Sequence, residues 1–259
     1  MTSPAPKQPA KKSSSGRIAL FASAAVLLIV GVIVAVSLST HKTSSSSSSS
    51  SRPATPASIS APAKVSGQAP LTFGSMPEVL YVGADFCPYC AAERWALVDA
   101  LSRFGSFTNI EEIHSAPAPE AYPSTATYSF ANSSYSSPYL VFTPVETQTV
   151  NHKPLMTMSA EQTKLFTALD PNGSIPFLDL GGSYVLVGSQ YDPAYLAGAT
   201  HAQVKSWIKQ QNTATGQAIV QSADVLSADI CVLTKGQPGS VCHSSAVVQA
   251  AKAAGITLP

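Results

Sequence analysis

Charge is scarce in this chain. Lys, Arg, Asp and Glu make up only 11% of the 259 residues, and they nearly cancel to a formal net charge of +1. Such a composition has no electrostatic footprint for a phosphate backbone, and no DNA- or RNA-binding motif accompanies it, so nucleic acid is excluded as a partner. Cysteine is scarce too. Of four cysteines only Cys87 and Cys90 stand at tight spacing. A structural zinc site usually pairs two tight knuckles, and the ten-residue gap between Cys231 and Cys242 is a poor second one, even with His201 or His243 as a further ligand. No metal is expected. No internal repeat is present either.

Long apolar runs are limited to one. Residues 18–38, "IALFASAAVLLIVGVIVAVSL", carry no charge over 21 positions, enough at about 1.5 Å per residue to span a hydrocarbon core of roughly 30 Å. A cleaved signal peptide has a shorter apolar region, about 7–15 residues, so the run reads as an uncleaved anchor. Lys7, Lys11, Lys12 and Arg17 precede it, and His41, Lys42 and Arg52 follow more sparsely. That asymmetry predicts a cytoplasmic tail at 1–17, a transmembrane anchor at 18–38 and an extracytoplasmic C-terminal part. The expected location is the cell membrane, with a single pass. Disulfides persist in that compartment.

Residues 39–70 include eight consecutive serines and then Pro, Ala and Thr. This composition cannot bury a core and reads as a disordered linker, with a reach on the order of 30 Å. The remainder suits one domain at 71–215 and a helical extension at 216–259.

Within it, "EVLYVGA" (78–84) is an apolar, β-branched run consistent with a buried strand, and "CAAERWALVDALSRFG" (90–105) has helical spacing ending at Gly105. "FTNIEEIHSA" (107–116) is expected as the next strand, paired in parallel through a right-handed crossover. Residues 107–158 read as an insertion whose pieces 125–130 and 139–147 form a hairpin. Ser159 and Gln162 form a capping-box pattern opening a helix at 159–169. "IPFLDLGGSYVLVG" (175–188) reads as a β-hairpin, and "THAQVKSWIKQ" (200–210) as an amphipathic helix. The fold class is α/β, a mixed sheet flanked by helices.

Cys87-Pro88-Tyr89-Cys90 stands at the strand-to-helix junction. The spacing alone leaves three readings open: a redox dithiol, half of a metal site, or a small structural bond. A cysteine at a helix N-terminus feels unpaired N–H groups and the positive end of the dipole, which favour the reactive thiolate. Pro88 suits the first helical position.

"CPYC" before a helix, followed by "SIPF" (174–177) before a hairpin and a final helix, resembles the thioredoxin-like superfamily over roughly 76–210. The resemblance implies Cys87 as the exposed nucleophile and Cys90 as the resolving cysteine. It implies a cis Ile175–Pro176 bond beside a substrate groove, with Pro88 and Tyr89 also facing substrate. It implies no bound cofactor. The partners would be a protein or small-molecule thiol or disulfide and an unidentified redox partner. Tyr81 stands where such proteins often carry a buried acid, with Asp85 and Glu93 as nearby substitutes or as solvated surface carboxylates. "FCPYCAAERWAL", "YSSPYLVFTPVET", "SIPFLDLGG" and "ICVLTKGQPGSVC" also resemble an uncharacterised family of membrane-anchored, thioredoxin-like proteins of archaea and actinobacteria, whose function is open.

The expected function is therefore an exported, membrane-tethered thiol–disulfide oxidoreductase. The alternative is a redox-inactive binding or scaffold domain with structural disulfides, since fold alone does not establish activity. Cys231 and Cys242 are expected to form a structural disulfide on compartment grounds. A relay to Cys87–Cys90 would require the two pairs to touch.

Overall fold

The computed structural model describes residues 58–259. The expected tail, the apolar span 18–38 and the linker up to residue 57 lie outside the described residues. Among the described residues no helix is long and apolar enough to cross a membrane.

The chain runs through β1 (Ala63–Lys64), β2 (Thr72–Phe73), β3 (Met76–Gly83), α1 (Pro88–Leu101), β4 (Ser106–Thr108), β5 (Glu111–His114), β6 (Ala126–Ser129), β7 (Ser134–Ser136) and β8 (Val141–Glu146). It continues with α2 (Ala160–Leu169), β9 (Phe177–Leu180), β10 (Tyr184–Val187), a short 3-10 turn at Pro193–Leu196, α3 (His201–Gln210), α4 (Ala214–Leu233), α5 (Gly239–Cys242) and α6 (Ser245–Ala254).

The mixed sheet is built on β3. It pairs in parallel with β8, Val79 opposite Phe142, and antiparallel with β9, Val79 opposite Leu180. β9 turns through Gly181 and Gly182 into β10, which pairs with β1. The strand period of two divides β3 between two cores. Val79 and Tyr81 join α1, α4 and α6 on one face, while Leu80 and Val82 join Phe166 of α2 on the other. Burial on both faces explains why the strand is continuously apolar. Helix α1 is likewise buried nearly all round, because the sheet, β6 and α4 enclose it.

Several expectations hold. Helix α2 opens with the Ser159–Gln162 capping box, and α3 opens after Thr200 as its N-cap, which the structure completes into a box with Gln203. The hairpin falls at 177–187.

Other expectations are corrected. The parallel partner of β3 is β8, not the segment 107–116. Residues 106–114 form β4 and β5, which pair antiparallel with β7 and β6 in two ribbons outside the main sheet. A strand in a covered parallel pair needs apolar residues, and Glu111, Glu112 and His114 cannot supply them, whereas Val141, Phe142 and Val145 can. Pro144 is tolerated because β8 lies at a sheet edge. The pieces 125–130 and 139–147 therefore do not pair with each other, and the excursion after α1 ends near residue 140.

Helix α1 ends at Leu101 with Ser102 as its cap, not at Gly105. Gly105 lacks a side chain for a different reason: a Cβ there would lie 2.3 Å from the Ser136 carbonyl oxygen. Finally, residues 58–70 lie along the domain and are not linker. The Ser60 N–H donates to the Gln190 carbonyl at 2.8 Å, and that of Val65 to Ser183 at 2.9 Å. An extended Pro- and Ser-rich segment has no periodicity to betray this, since its partners are backbone groups at the sheet edge.

Candidate active site

β3 ends at Gly83, and residues 84–86 carry the chain to Cys87 at the start of α1. Cys87 is the N-cap of that helix, with Pro88 at the first helical position. The Cys87 Sγ accepts the Cys90 backbone N–H at 3.2 Å, occupying the place that a serine or aspartate oxygen usually takes. The same sulfur, as a thiol, donates to the Ile175 carbonyl at 3.8 Å. The Ile175–Pro176 bond is cis. The structure thus brings residues 87–90 and 175–176 together across 85 positions of sequence.

Both thiols are free, and they are unequal. Cys90 is fully buried, and burial pushes its thiol well up, helped by the neighbouring Cys87. Cys87 is pulled below the ordinary thiol value, first by the Cys90 side chain and then by the Cys90 N–H and Arg94, against the opposing effect of burial. Expected to be exposed, Cys87 keeps only 5% of its surface, since it is wedged between the helix N-terminus and the 174–176 loop. Tyr89, between them, is 41% exposed.

Beneath the dithiol lies a charge cluster that sequence reasoning did not find. The Arg94 guanidinium donates to both Glu146 oxygens, at 2.9 and 2.7 Å, and to the Ala84 carbonyl at 2.8 Å. Both side chains are completely buried, and the Asp85 carboxylate stands 3.7 Å from Arg94. Arg94 lies 5.9 Å over the Tyr81 ring. The only sequence signal was an arginine on the fourth residue after Cys90 of an otherwise apolar helix. Its partner is 52 residues away, and no local pattern points to it.

Tyr81 does stand beneath the dithiol, but as a neutral phenol. Burial holds its pKa well up, and its hydroxyl has no hydrogen-bond partner among the described residues. Gly83 makes room for it: a Cβ there would stand 2.1 Å from the Tyr81 oxygen. Asp85 and Glu93 are not solvated surface carboxylates. Asp85 is raised to about 6, by burial and then by Glu146. Glu93 is fully buried, raised to about 8 by burial, and accepts the Gln190 N–H at 2.9 Å. It braces the chain after β10.

Cys231 and Cys242 are bonded, joining α4 to α5 with their Cα atoms 5.6 Å apart. This pair lies at the opposite end of the sheet from Cys87. Leu233, two residues beyond Cys231, packs on Gly181 at the β9–β10 turn, whereas Cys87 faces Ile175 before β9 begins. The two pairs do not touch, which removes the direct relay.

Residues 61–172 match the model of a family described as "Domain of unknown function (DUF929)". The match takes in the Cys87–Cys90 segment and β8, and it ends before Pro176 and the bonded cysteines. No curated protein and no solved structure matches the chain.

Proposed function

We propose that this chain is a membrane-tethered thiol–disulfide oxidoreductase of thioredoxin-like build, working through Cys87 and Cys90. The observation that carries this reading is the asymmetry of the two sulfurs. One caps a helix N-terminus, accepts an N–H and is lowered in pKa, while the other is sealed beneath it and raised. The strand order β8-β3-β9-β10, with its first pair parallel and the rest antiparallel, supports the thioredoxin-like part. The tether rests on the apolar run 18–38 and its flanking charges.

In the reducing direction the Cys87 thiolate attacks one sulfur of a substrate disulfide. The substrate S–S bond breaks, a mixed disulfide forms, and one substrate thiolate leaves. Cys90 then loses its proton and attacks the Cys87 sulfur, releasing the second substrate thiolate. The substrate gains two electrons and the dithiol becomes a disulfide. A partner dithiol or disulfide resets the pair, and its potential sets the direction. Arg94 stabilises negative charge on either sulfur.

The test is a redox titration of the full chain in graded glutathione buffers, quenched with an alkylating label and mapped to each cysteine by mass spectrometry. The proposal requires Cys87 and Cys90 to exchange reversibly while Cys231 and Cys242 stay closed. A Cys87–Cys90 bond that opens only with loss of the fold would make the pair structural and the domain a binding module.

A further inference from the structure

Beside the dithiol lies a cavity of about 380 Å³, toward the lower end of the range of roughly 300–1,000 Å³ typical of ligand pockets. Tyr89 forms part of its wall, so the cavity begins at the residue between the two cysteines. Gly188, in the same wall, donates its N–H to the Pro176 carbonyl at 2.8 Å, which ties the cavity to the other side of the sulfur site. The remaining wall comes from Tyr122, in the excursion after α1, from residues 189–192, and from Ser58 and Ser60.

The chemistry of this wall has one sign. Tyr89 and Tyr122 meet edge to face, with ring centroids 5.9 Å apart, and the partly exposed rings offer electron-rich faces. Asp192 supplies a carboxylate, of which Oδ1 accepts the Ala194 N–H at 2.8 Å, and no cation among the described residues faces it. The Tyr122 hydroxyl donates to that carboxylate, which raises the phenol and ties the two sides of the wall together. Gln190 spends its Nε2 on the Ser60 carbonyl, leaving a buried Oε1 without a partner among the described residues. Among the described residues lining the cavity, none carries a positive charge. Aromatic faces, a carboxylate and an unused acceptor all lack a cation that donates hydrogen bonds.

We infer that this cavity is a subsite for a cationic side chain, arginine or lysine, flanking the reactive sulfur of a polypeptide substrate. The inference rests on the oxidoreductase reading for its placement, and it adds the substrate class: proteins with a basic residue beside the exchanged cysteine. A small uncharged thiol would leave the subsite unused.

The experiment uses the full chain with Cys90→Ser, which stops the reaction at the mixed disulfide. Short peptides carry one cysteine as a disulfide with 2-nitro-5-thiobenzoate, flanked by arginine, glutamine or glutamate, and release of the coloured thiolate gives the rate. The arginine peptide should react about fivefold faster than the glutamine peptide, as one cation–π contact and one exposed ion pair together supply, and the glutamate peptide should be slowest. Asp192→Asn keeps the turn cap, since asparagine also caps, and should compress the arginine-to-glutamate ratio severalfold. Equal rates, or a preference that survives Asp192→Asn unchanged, overturn the subsite. A second measurement does not depend on sulfur chemistry. A serine-for-cysteine arginine peptide is titrated while the tyrosine ring signals of Tyr89 and Tyr122 are followed by NMR. Saturable shifts of both rings with this peptide, together with no thiolate release from any of the cysteine peptides, would keep the subsite and remove the oxidoreductase reading. No shift with the arginine peptide removes the subsite.

Discussion

Arg94 and Glu146 form a two-bond ion pair with neither side chain exposed, directly beneath Cys90. Taking two charges out of water is costly, and the geometry compensates only while both partners are present. Glu146→Gln leaves the Arg94 charge with only the looser Asp85 carboxylate at 3.7 Å and should cost about 3 kcal/mol of stability by chemical denaturation. It should also lower the pH at which Cys87 is alkylated, because the less fully compensated guanidinium favours thiolate. A variant that melts like the parent, with an unmoved alkylation profile, would refute the assigned role.

The two sulfurs should differ in plain labelling kinetics. With the dithiol reduced, Cys87 should react with iodoacetamide at a pH below the ordinary thiol value of 9.0, and Cys90 only well above it. Site-resolved mass spectrometry across pH reads both. Equal profiles would show that the helix N-terminus does not distinguish them.

Tyr81 and Gly83 share one space. Gly83→Ala drives a methyl into the phenol oxygen and should destabilise by about 1–3 kcal/mol, as overpacking does. Tyr81→Phe removes a buried hydroxyl that has no partner, so it should be neutral or stabilising. The double variant should recover only part of the glycine loss, because phenylalanine keeps the Cζ atom that the new Cβ would meet at 2.5 Å, and a thermodynamic cycle measures that coupling. Additive effects would count against the contact.

Asp229 on α4 is completely buried with neither oxygen partnered among the described residues, and burial raises it to about 8. A carboxyl with a raised folded pKa binds its proton more tightly folded than unfolded. Its stability contribution is intact below the unfolded value, about 3.9, and is lost progressively as pH rises toward about 8. Asp229→Asn should therefore stabilise the fold more at pH 8 than at pH 4, by up to a few kcal/mol, with the gap widening between them. A pH-independent gap would mean that Asp229 reaches solvent.

The Cys231–Cys242 bond closes a short loop, and its removal by Cys231→Ser with Cys242→Ser should cost about 3 kcal/mol in the chain-entropy picture. Because the pair sits at the far end of the sheet, the Cys87–Cys90 midpoint should not move. A shifted midpoint in the glutathione titration would reinstate a link between the pairs.

The elements visible in the sequence are those whose signals are local. The apolar run of β3, the Ser159–Gln162 cap, the Gly181-Gly182 turn and the Cys-Pro-Tyr-Cys junction each depend on residues within a few positions of one another. So the dithiol at a helix start was legible from the chain alone. Tertiary structure decided the rest. Which segment becomes the parallel partner of β3 depends on which face each strand can cover, and β8 beats 107–116 only once both faces of the sheet are known. Glu146 finds Arg94, Ile175 finds Cys87, and Tyr122 finds Tyr89 across 52, 88 and 33 positions of chain. Composition made these contacts available, and close packing of the folded chain selected them.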